Sequence, residues 1–113
     1  MAELPTVALS DLLTQAGCTQ ALLDVAKERA RQVSEEAWTA EHDDRHGAGQ
    51  LVMAALAYAV PEAAPWYDLR LQWWPWRQAG FKPKDRRRDL VRAGALILAE
   101  IERIDRAQVK ADG

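Results

Sequence analysis

The chain has 113 residues, which is the size of one ordinary domain and enough to bury a core without disulfides. Its one cysteine, Cys18, excludes an internal disulfide and a cysteine-based zinc cluster. The longest apolar run, residues 51–60, is too short to cross a bilayer, and no signal-peptide pattern opens the sequence. The sequence therefore predicts a soluble, cytoplasmic protein that does not contact a membrane.

Charge is distributed unevenly along the chain, although its net value is only -2. Residues 1–60 carry 4 basic and 9 acidic side chains, whereas residues 61–113 carry 11 basic and 8 acidic ones. The basic side chains are densest in residues 77–92. Such a patch can receive phosphates, but pairing with the acidic half inside the fold would produce the same counts.

Apolar residues at helical spacing predict four helices, at roughly residues 6–16, 19–37, 48–60 and 84–108. In the second, apolar residues recur at intervals of three and four, which predicts a buried face made mostly of alanine. These residues are Leu22, Ala26, Ala30, Val33 and Ala37. With no strand pattern and no internal repeat, the chain is expected to be all-α, a single domain over residues 1–113 and a compact bundle of about four helices.

The third predicted helix is apolar on almost every side, so it is expected to be central and buried on several sides. A thin bundle offers too few neighbours to cover such a helix, and this predicts a homodimer. The fourth predicted helix carries an apolar stripe at Leu90, Gly94, Ile97, Ile101 and Ile104.

The segment W-T-A-E-H-D-D-R-H, residues 38–46, places acidic side chains and histidines side by side. If the segment is helical, Glu41 and Asp44 share one face, and His42 and His46 share another. Carboxylates at this spacing suit Mg²⁺ or Mn²⁺, whereas two histidines four apart suit Zn²⁺ better. Three neighbouring carboxylates without a thiol favour Mg²⁺ or Mn²⁺. The alternative is an acidic helix N-terminus or surface cluster, because the helix dipole favours carboxylates there.

Two further glutamates are candidates for a general base near such a site. Glu36 ends the second predicted helix, and Glu100 lies on the fourth. The alternative for each is an ion pair with an arginine such as Arg29, Arg31 or Arg92.

A long Trp- and Pro-rich loop, at roughly residues 61–83, precedes the basic run. It contains Trp66, Trp73, Trp74 and Trp76. Indole faces beside cations suit a nucleotide, since bases stack on the rings while cations hold phosphates. Trp74 and Trp76 are the candidates for stacking, and Arg86 and Arg87 are the candidates for phosphate binding. The alternative is that the tryptophans fold back over the alanine-rich helices and complete the core.

Three stretches resemble a family of small proteins from tailed phages and bacterial prophages: E-R-A-R-Q-V-S-E-E-A-W-T-A-E-H-D-D-R-H-G-A-G-Q-L, W-W-P-W and R-R-D-L-V-R-A-G-A-L-I-L-A-E-I-E-R-I-D-R. The resemblance implies a phage protein acting in the cytoplasm of a bacterial host, and it implies no activity. The residues that match this family are Glu28, Arg29, Gln32, Glu36, Trp38, Glu41, His42, Asp43, Asp44, His46, Trp74, Pro75, Trp76, Asp89, Leu90, Ala93, Gly94, Ala95, Glu100 and Arg103.

A weaker resemblance is to the all-α MazG-like nucleoside triphosphate pyrophosphohydrolases, which hold Mg²⁺ with E-E-x-x-E on one helix and E-x-x-D on the next. Here Glu35 and Glu36 precede Glu41 and Asp44, but the two pairs are closer in sequence than two separate helices require. This resemblance implies that a metal-bound water attacks a phosphate, with Glu41 and Asp44 as metal ligands. Glu36 or Glu100 would then be the base.

Two other classes of function are open from the sequence. A non-catalytic binder would sequester a host protein or a nucleotide through the acidic segment or the Trp-rich loop. A DNA-associated accessory protein ranks third, because no helix-turn-helix spacing is present and the basic run is its main support.

Overall fold

A computed structural model describes the backbone of residues 6–46, 49–61 and 69–113, and the side chains of residues 11–46, 49–61 and 70–113. This part of the chain is all-α, without strands, as the sequence predicts. Its α-helices are α1 (Thr6–Gln15), α2 (Gln20–Ser34), α3 (Ala40–Arg45), α4 (Gln50–Ala59) and α5 (Arg86–Asp112). Two 3₁₀ helices, Leu69–Gln72 and Gln78–Gly80, lie between α4 and α5. None of the described helices is both long and apolar enough to cross a membrane.

The short helix α3 is an addition to the four helices that the sequence predicts, and it lies in the acidic segment. α2 ends at Ser34 rather than near residue 37, and Ala37 has a left-handed φ of 57°. The side chain of Thr39 then caps α3 by accepting a hydrogen bond from the backbone N–H of His42 at 3.3 Å. The turn at Ala37 thus allows a new helix to begin six residues after α2 ends.

α5 is the central element, because α2, α3 and α4 all pack along it. The apolar core lies mainly between α4 and α5, where small residues allow the two backbones to approach closely. Its buried members include Leu51, Ala54, Ala55, Ala57, Tyr58, Trp74, Ala93, Leu96 and Ala99. In its thinnest direction the molecule measures 24 Å, which is the thickness of about two helices.

The buried face of α2 is polar, so the predicted alanine-rich buried face is wrong. Leu22 and Val33 in that stripe are 54% and 39% exposed, while Glu28 and Gln32 on another face are 2% and 1% exposed. This reversal arises because α5 presents arginine to α2, and Arg88 forms an ion pair with Glu28. A buried carboxylate is tolerated where a cation compensates its charge.

The apolar stripe of α5 faces solvent. Leu90, Ile97, Ile101 and Ile104 are between 44% and 52% exposed, and α5 packs against its neighbours with residues of another face, such as Leu96. α4 is buried against α5 and the first 3₁₀ helix but is not the central helix, so that prediction is wrong, and its outward edge remains open. That edge consists of Val52, Met53 and Leu56.

Candidate functional site

Asp43, in the middle of α3, is fully buried between two partners. Its Oδ2 accepts a hydrogen bond from Nη2 of Arg29 at 2.8 Å, and its Oδ1 lies 3.1 Å from Nδ1 of His42. Nε of Arg29 also donates to Oε1 of Glu102 at 2.9 Å, and its Nη1 donates to the carbonyl oxygen of Trp38 at 3.4 Å. One guanidinium therefore joins α2, α3 and α5 and compensates the charge of the most buried acid in the segment.

The two acids that the sequence nominates as metal ligands both lie on the outside of α3. Glu41 is exposed, and Asp44 is bound by Arg106 of α5, whose Nη2 donates to Oδ1 at 2.8 Å. This hydrogen bond, together with the charge of Arg106, holds the pKa of Asp44 below its ordinary value. A divalent cation at Asp44 would have to compete with Arg106, which donates two hydrogen bonds to Oδ1.

The two candidate general bases are also in ion pairs. Oε1 of Glu36 lies 3.1 Å from Nη1 of Arg31 and 3.8 Å from Nζ of Lys82. Glu100 accepts a hydrogen bond from Nε of Arg103, one turn further along α5. Within the described part of the chain, no three His, Cys, Asp or Glu side chains converge on a point where one metal ion would contact all of them.

Glu28 of α2 lies at the contact between α2 and α5. Its fully buried carboxylate accepts hydrogen bonds from Arg31 at 2.8 and 2.9 Å, from Arg88, and from Nε2 of Gln32 at 3.2 Å. Burial by itself would raise the pKa of Glu28. The hydrogen bonds and charges of Arg31 and Arg88 outweigh that effect, so the pKa lies below its ordinary value of 4.5.

Acidification is expected to destabilise the fold through Glu28. The pKa of Glu28 is lower in the folded chain than in the unfolded chain, where it is near 4.5. The ion pair therefore stabilises the fold fully at pH values above 4.5, and this stabilisation is lost as the pH falls through the folded pKa. Urea unfolding at a series of pH values between 7 and 3 should show a falling midpoint. Glu28→Gln should flatten that acid dependence, whereas Glu41→Gln, at an exposed acid, should preserve it. If the urea midpoint falls equally with pH in the wild type and in Glu28→Gln, Glu28 is not the source of the acid dependence.

Two histidines and two tryptophans form one cluster, called here the His–Trp cluster: Trp38, His42, His46 and Trp76. The rings of Trp38 and His42 stack at 5.9 Å with an interplanar angle of 12°. The rings of His42 and His46 are 4.3 Å apart, and Trp76 packs edge-on at 5.9 Å from the first and 5.2 Å from the second. All four side chains are partly exposed. The cluster draws on the α2–α3 connection, α3 and the Trp-rich loop.

Hydrogen bonds fix the tautomers of both histidines. Oε1 of Gln50 lies 2.7 Å from Nδ1 of His46 and also accepts the indole N–H of Trp76 at 3.4 Å. Because an indole N–H can only donate, the amide oxygen of Gln50 faces the cluster, and Nδ1 of His46 carries the proton. The carboxylate of Asp43 likewise accepts from Nδ1 of His42. In each neutral ring the lone pair therefore lies on Nε2.

Trp74 belongs to the core. It is 8% exposed, packs edge-on against Tyr58 at 5.6 Å, and donates its indole N–H to the carbonyl oxygen of Arg77 at 2.8 Å. Of the other loop tryptophans, Trp73 is 42% exposed, and Trp66 lies outside the described residues. Trp76 is thus the sequence-nominated stacking residue that contacts both histidines.

The nominated phosphate-binding arginines stand at the start of α5. Arg86 and Arg87 are exposed, and Nη1 of Arg87 lies 2.9 Å from Oδ2 of Asp24 in α2. A surface concavity of about 380 Å³ brings basic and acidic side chains together here. It is lined by Asp24, Lys27, Asp85, Arg87, Arg88 and Val91. The basic run is therefore partly neutralised by acids of the first half of the chain. This is the internal charge pairing that the sequence leaves open as the alternative to a phosphate-binding patch.

Sequence reasoning missed four residues that organise this region: Arg29, Trp38, Gln50 and Arg106. Arg29 and Trp38 are among the residues on which the sequence resemblance to phage proteins rests, and that resemblance was the available signal. Gln50 lies only four positions after His46, which is a spacing at which side chains of one helix meet, whereas nothing in the sequence indicates the contact of Arg106 with Asp44, 62 positions away.

No protein-family model matches the chain, and neither the curated proteins nor the solved structures compared with it give a match.

Proposed function

We propose that this is a non-catalytic binding protein, that its ligand contacts the His–Trp cluster, and that the ligand is a nucleotide. The observation that carries the proposal is the convergence of two imidazoles and two indoles, partly open to solvent, with Nε2 of both histidines as the lone-pair nitrogen. An indole offers a stacking surface for a base. Nε2 accepts a hydrogen bond from an N–H or O–H group and, when the ring is protonated, donates one to a phosphate oxygen.

The ion pairs of the acidic residues support binding without turnover. Asp43 is compensated by Arg29, Asp44 by Arg106, and Glu36 by Arg31. A metal-dependent mechanism needs carboxylates that are available to a divalent cation, and at Asp43, Asp44 and Glu36 that cation would compete with a guanidinium. The resemblance to phage proteins adds the setting to the proposal, which is an accessory protein that sequesters its ligand in the cytoplasm of a bacterial host.

Nucleotide titration tests the proposal. We expect common ribo- and deoxynucleotides to quench tryptophan fluorescence, and calorimetry to give a dissociation constant for those that bind. His46→Ala should weaken that binding about tenfold or more, a loss of about 1.4 kcal/mol, because it removes an imidazole and frees Gln50. Trp73→Phe is the control, since Trp73 is exposed and its ring contacts none of the four rings of the His–Trp cluster in the described part of the chain. Absence of binding by every nucleotide would overturn the proposal.

The same samples separate binding from catalysis. With Mg²⁺ or Mn²⁺ present, we expect bound nucleotide to be recovered intact. In calorimetric titrations with either ion, we expect the wild type and Asp44→Asn to give the same result. If nucleotide is hydrolysed and Asp44→Asn abolishes the reaction, the metal-dependent pyrophosphohydrolase mechanism replaces the non-catalytic one.

A further inference from the structure

The largest uncovered apolar feature on α5 is its stripe of Leu90, Gly94, Ile97, Ile101 and Ile104, called here the α5 stripe. Its four large side chains are 44% to 52% exposed. By helical rise the stripe is about 21 Å long. Contiguous apolar surface of this kind on a small protein marks an interaction site. α2 adds Leu22, 54% exposed, to the apolar surface of the same layer of helices.

The spacing of the stripe indicates the kind of partner. The five positions are separated by four, three, four and three residues, which is the 3.5-residue period of a helix that pairs along its length with another helix. A partner that contacted the stripe with a rounded surface instead of a helix would not require that period. The partner is therefore a helix with a matching apolar stripe, and the chain itself supplies one.

Charge decides the orientation of such a pair. Arg87 and Asp105 are 18 positions apart, which is five turns, so both lie on the same flank of the stripe near opposite ends. Both are exposed. In a parallel pair the arginines of the two copies would lie together at one end of the interface and the aspartates at the other, whereas an antiparallel pair brings each arginine to the end that carries an aspartate. We propose that a second copy of this chain covers the α5 stripe in an antiparallel, two-fold symmetric dimer centred on Ile97.

The surface shape fits this register. Centring on Ile97 places Leu90 opposite Ile104 of the second copy. Beside Leu90, a shallow concavity of about 220 Å³ has mainly apolar walls that include Val25 of α2, and it is positioned to receive that isoleucine. At Gly94 the side chain of Val25 from α2 packs directly on the backbone of α5, since an added Cβ would come within 3.2 Å of it, and Ile101 of the second copy lies against Val25. The dimer surface is thus α5 with the adjoining edge of α2, and it is separate from the His–Trp cluster.

Solution mass tests the dimer. Sedimentation from micromolar to hundreds of micromolar protein should give a mass of about 25 kDa, twice the 12.7 kDa of the chain. Ile101→Glu should shift the mass to that of one chain while the helical circular dichroism is retained, because Ile101 is already half exposed in a single copy. Leu71→Glu is the control, since Leu71 is exposed next to Arg70, which contacts Asp89 on another face of α5. A monomer throughout, or a dimer unaffected by Ile101→Glu, would overturn the proposal.

Disulfide trapping tests the orientation. In a Cys18→Ser background, Ile97→Cys should cross-link to itself on mild oxidation, because the two-fold axis passes through that position. Leu90→Cys should not cross-link to itself but should do so to Ile104→Cys when the two proteins are mixed. Self-cross-linking of Leu90→Cys in place of the mixed product would show a parallel pair and overturn the antiparallel assignment. Nucleotide binding by the His–Trp cluster is measured independently, so either proposal can fail alone.

Discussion

Replacing Arg29 by methionine is expected to lower the free energy of unfolding by about 3–5 kcal/mol, because it leaves a buried carboxylate without its cation. The side chain of Asp43 is fully buried, and Arg29, with 11% of its side chain exposed, holds it at 2.8 Å. Methionine preserves the apolar stem of arginine but offers no donor to Asp43, Glu102 or the carbonyl of Trp38. Chemical denaturation at pH 7 measures the loss.

Arg106→Met is the matched control for this prediction. Arg106 binds Asp44 at the same distance of 2.8 Å, but about a third of each side chain is exposed. Solvent already screens such a pair, so the expected cost is about 0–1 kcal/mol. Adding Asp43→Asn to Arg29→Met should recover part of the loss, since it removes the uncompensated charge. Equal costs for the two arginines would show that burial of Asp43 is not what makes Arg29 important.

Leu96→Ala is expected to destabilise the protein by about 2–5 kcal/mol. Leu96 is 0% exposed and lies in the core between α5 and α4, where its removal leaves a cavity that the neighbouring alanines cannot fill. Urea unfolding of the variant and the wild type at equal protein concentration gives the difference.

The next residue supplies the comparison. Ile97→Ala removes an aliphatic side chain of the same size that is 47% exposed in a single copy, so at a protein concentration low enough to keep the chain monomeric its cost should be about 1 kcal/mol or less. A similar loss for both variants in the monomer would contradict the placement of Leu96 inside and Ile97 outside.

Helical content was predictable from the sequence because it follows from local signals: apolar spacing, helix-capping side chains such as Thr19 and Asp85, and Pro61 after α4. The inward face of a helix was harder to predict. α2 has a regular apolar stripe, yet Glu28 and Gln32 face inward because Arg88, 60 positions away, meets Glu28. Periodicity identifies an apolar face but does not identify the surface that covers it, and here the covering surface of α5 carries cations.

The acidic segment shows the same limit. Sequence spacing showed that residues 38–46 are chemically unusual and predicted either a metal site or an acidic helix N-terminus or surface cluster there. The structure places Arg29 at Asp43 and Arg106 at Asp44, and these contacts span 14 and 62 positions. Contacts over such separations are set by the packing of α2 and α3 on α5. No local pattern encodes them.

The central position of α5 has a consequence for how the chain acquires its structure during synthesis. α2, α3 and α4 all precede α5 in sequence, and each packs along it. Because a ribosome makes the chain from its N-terminus at about 5–20 residues per second, these helices are synthesised before their shared partner. The buried side of α4, with Leu51 and Tyr58, lacks the covering surface of α5 during that interval. Native packing therefore begins late, when residues 86–112 emerge, and the exposed apolar side of α4 is available to chaperones until then.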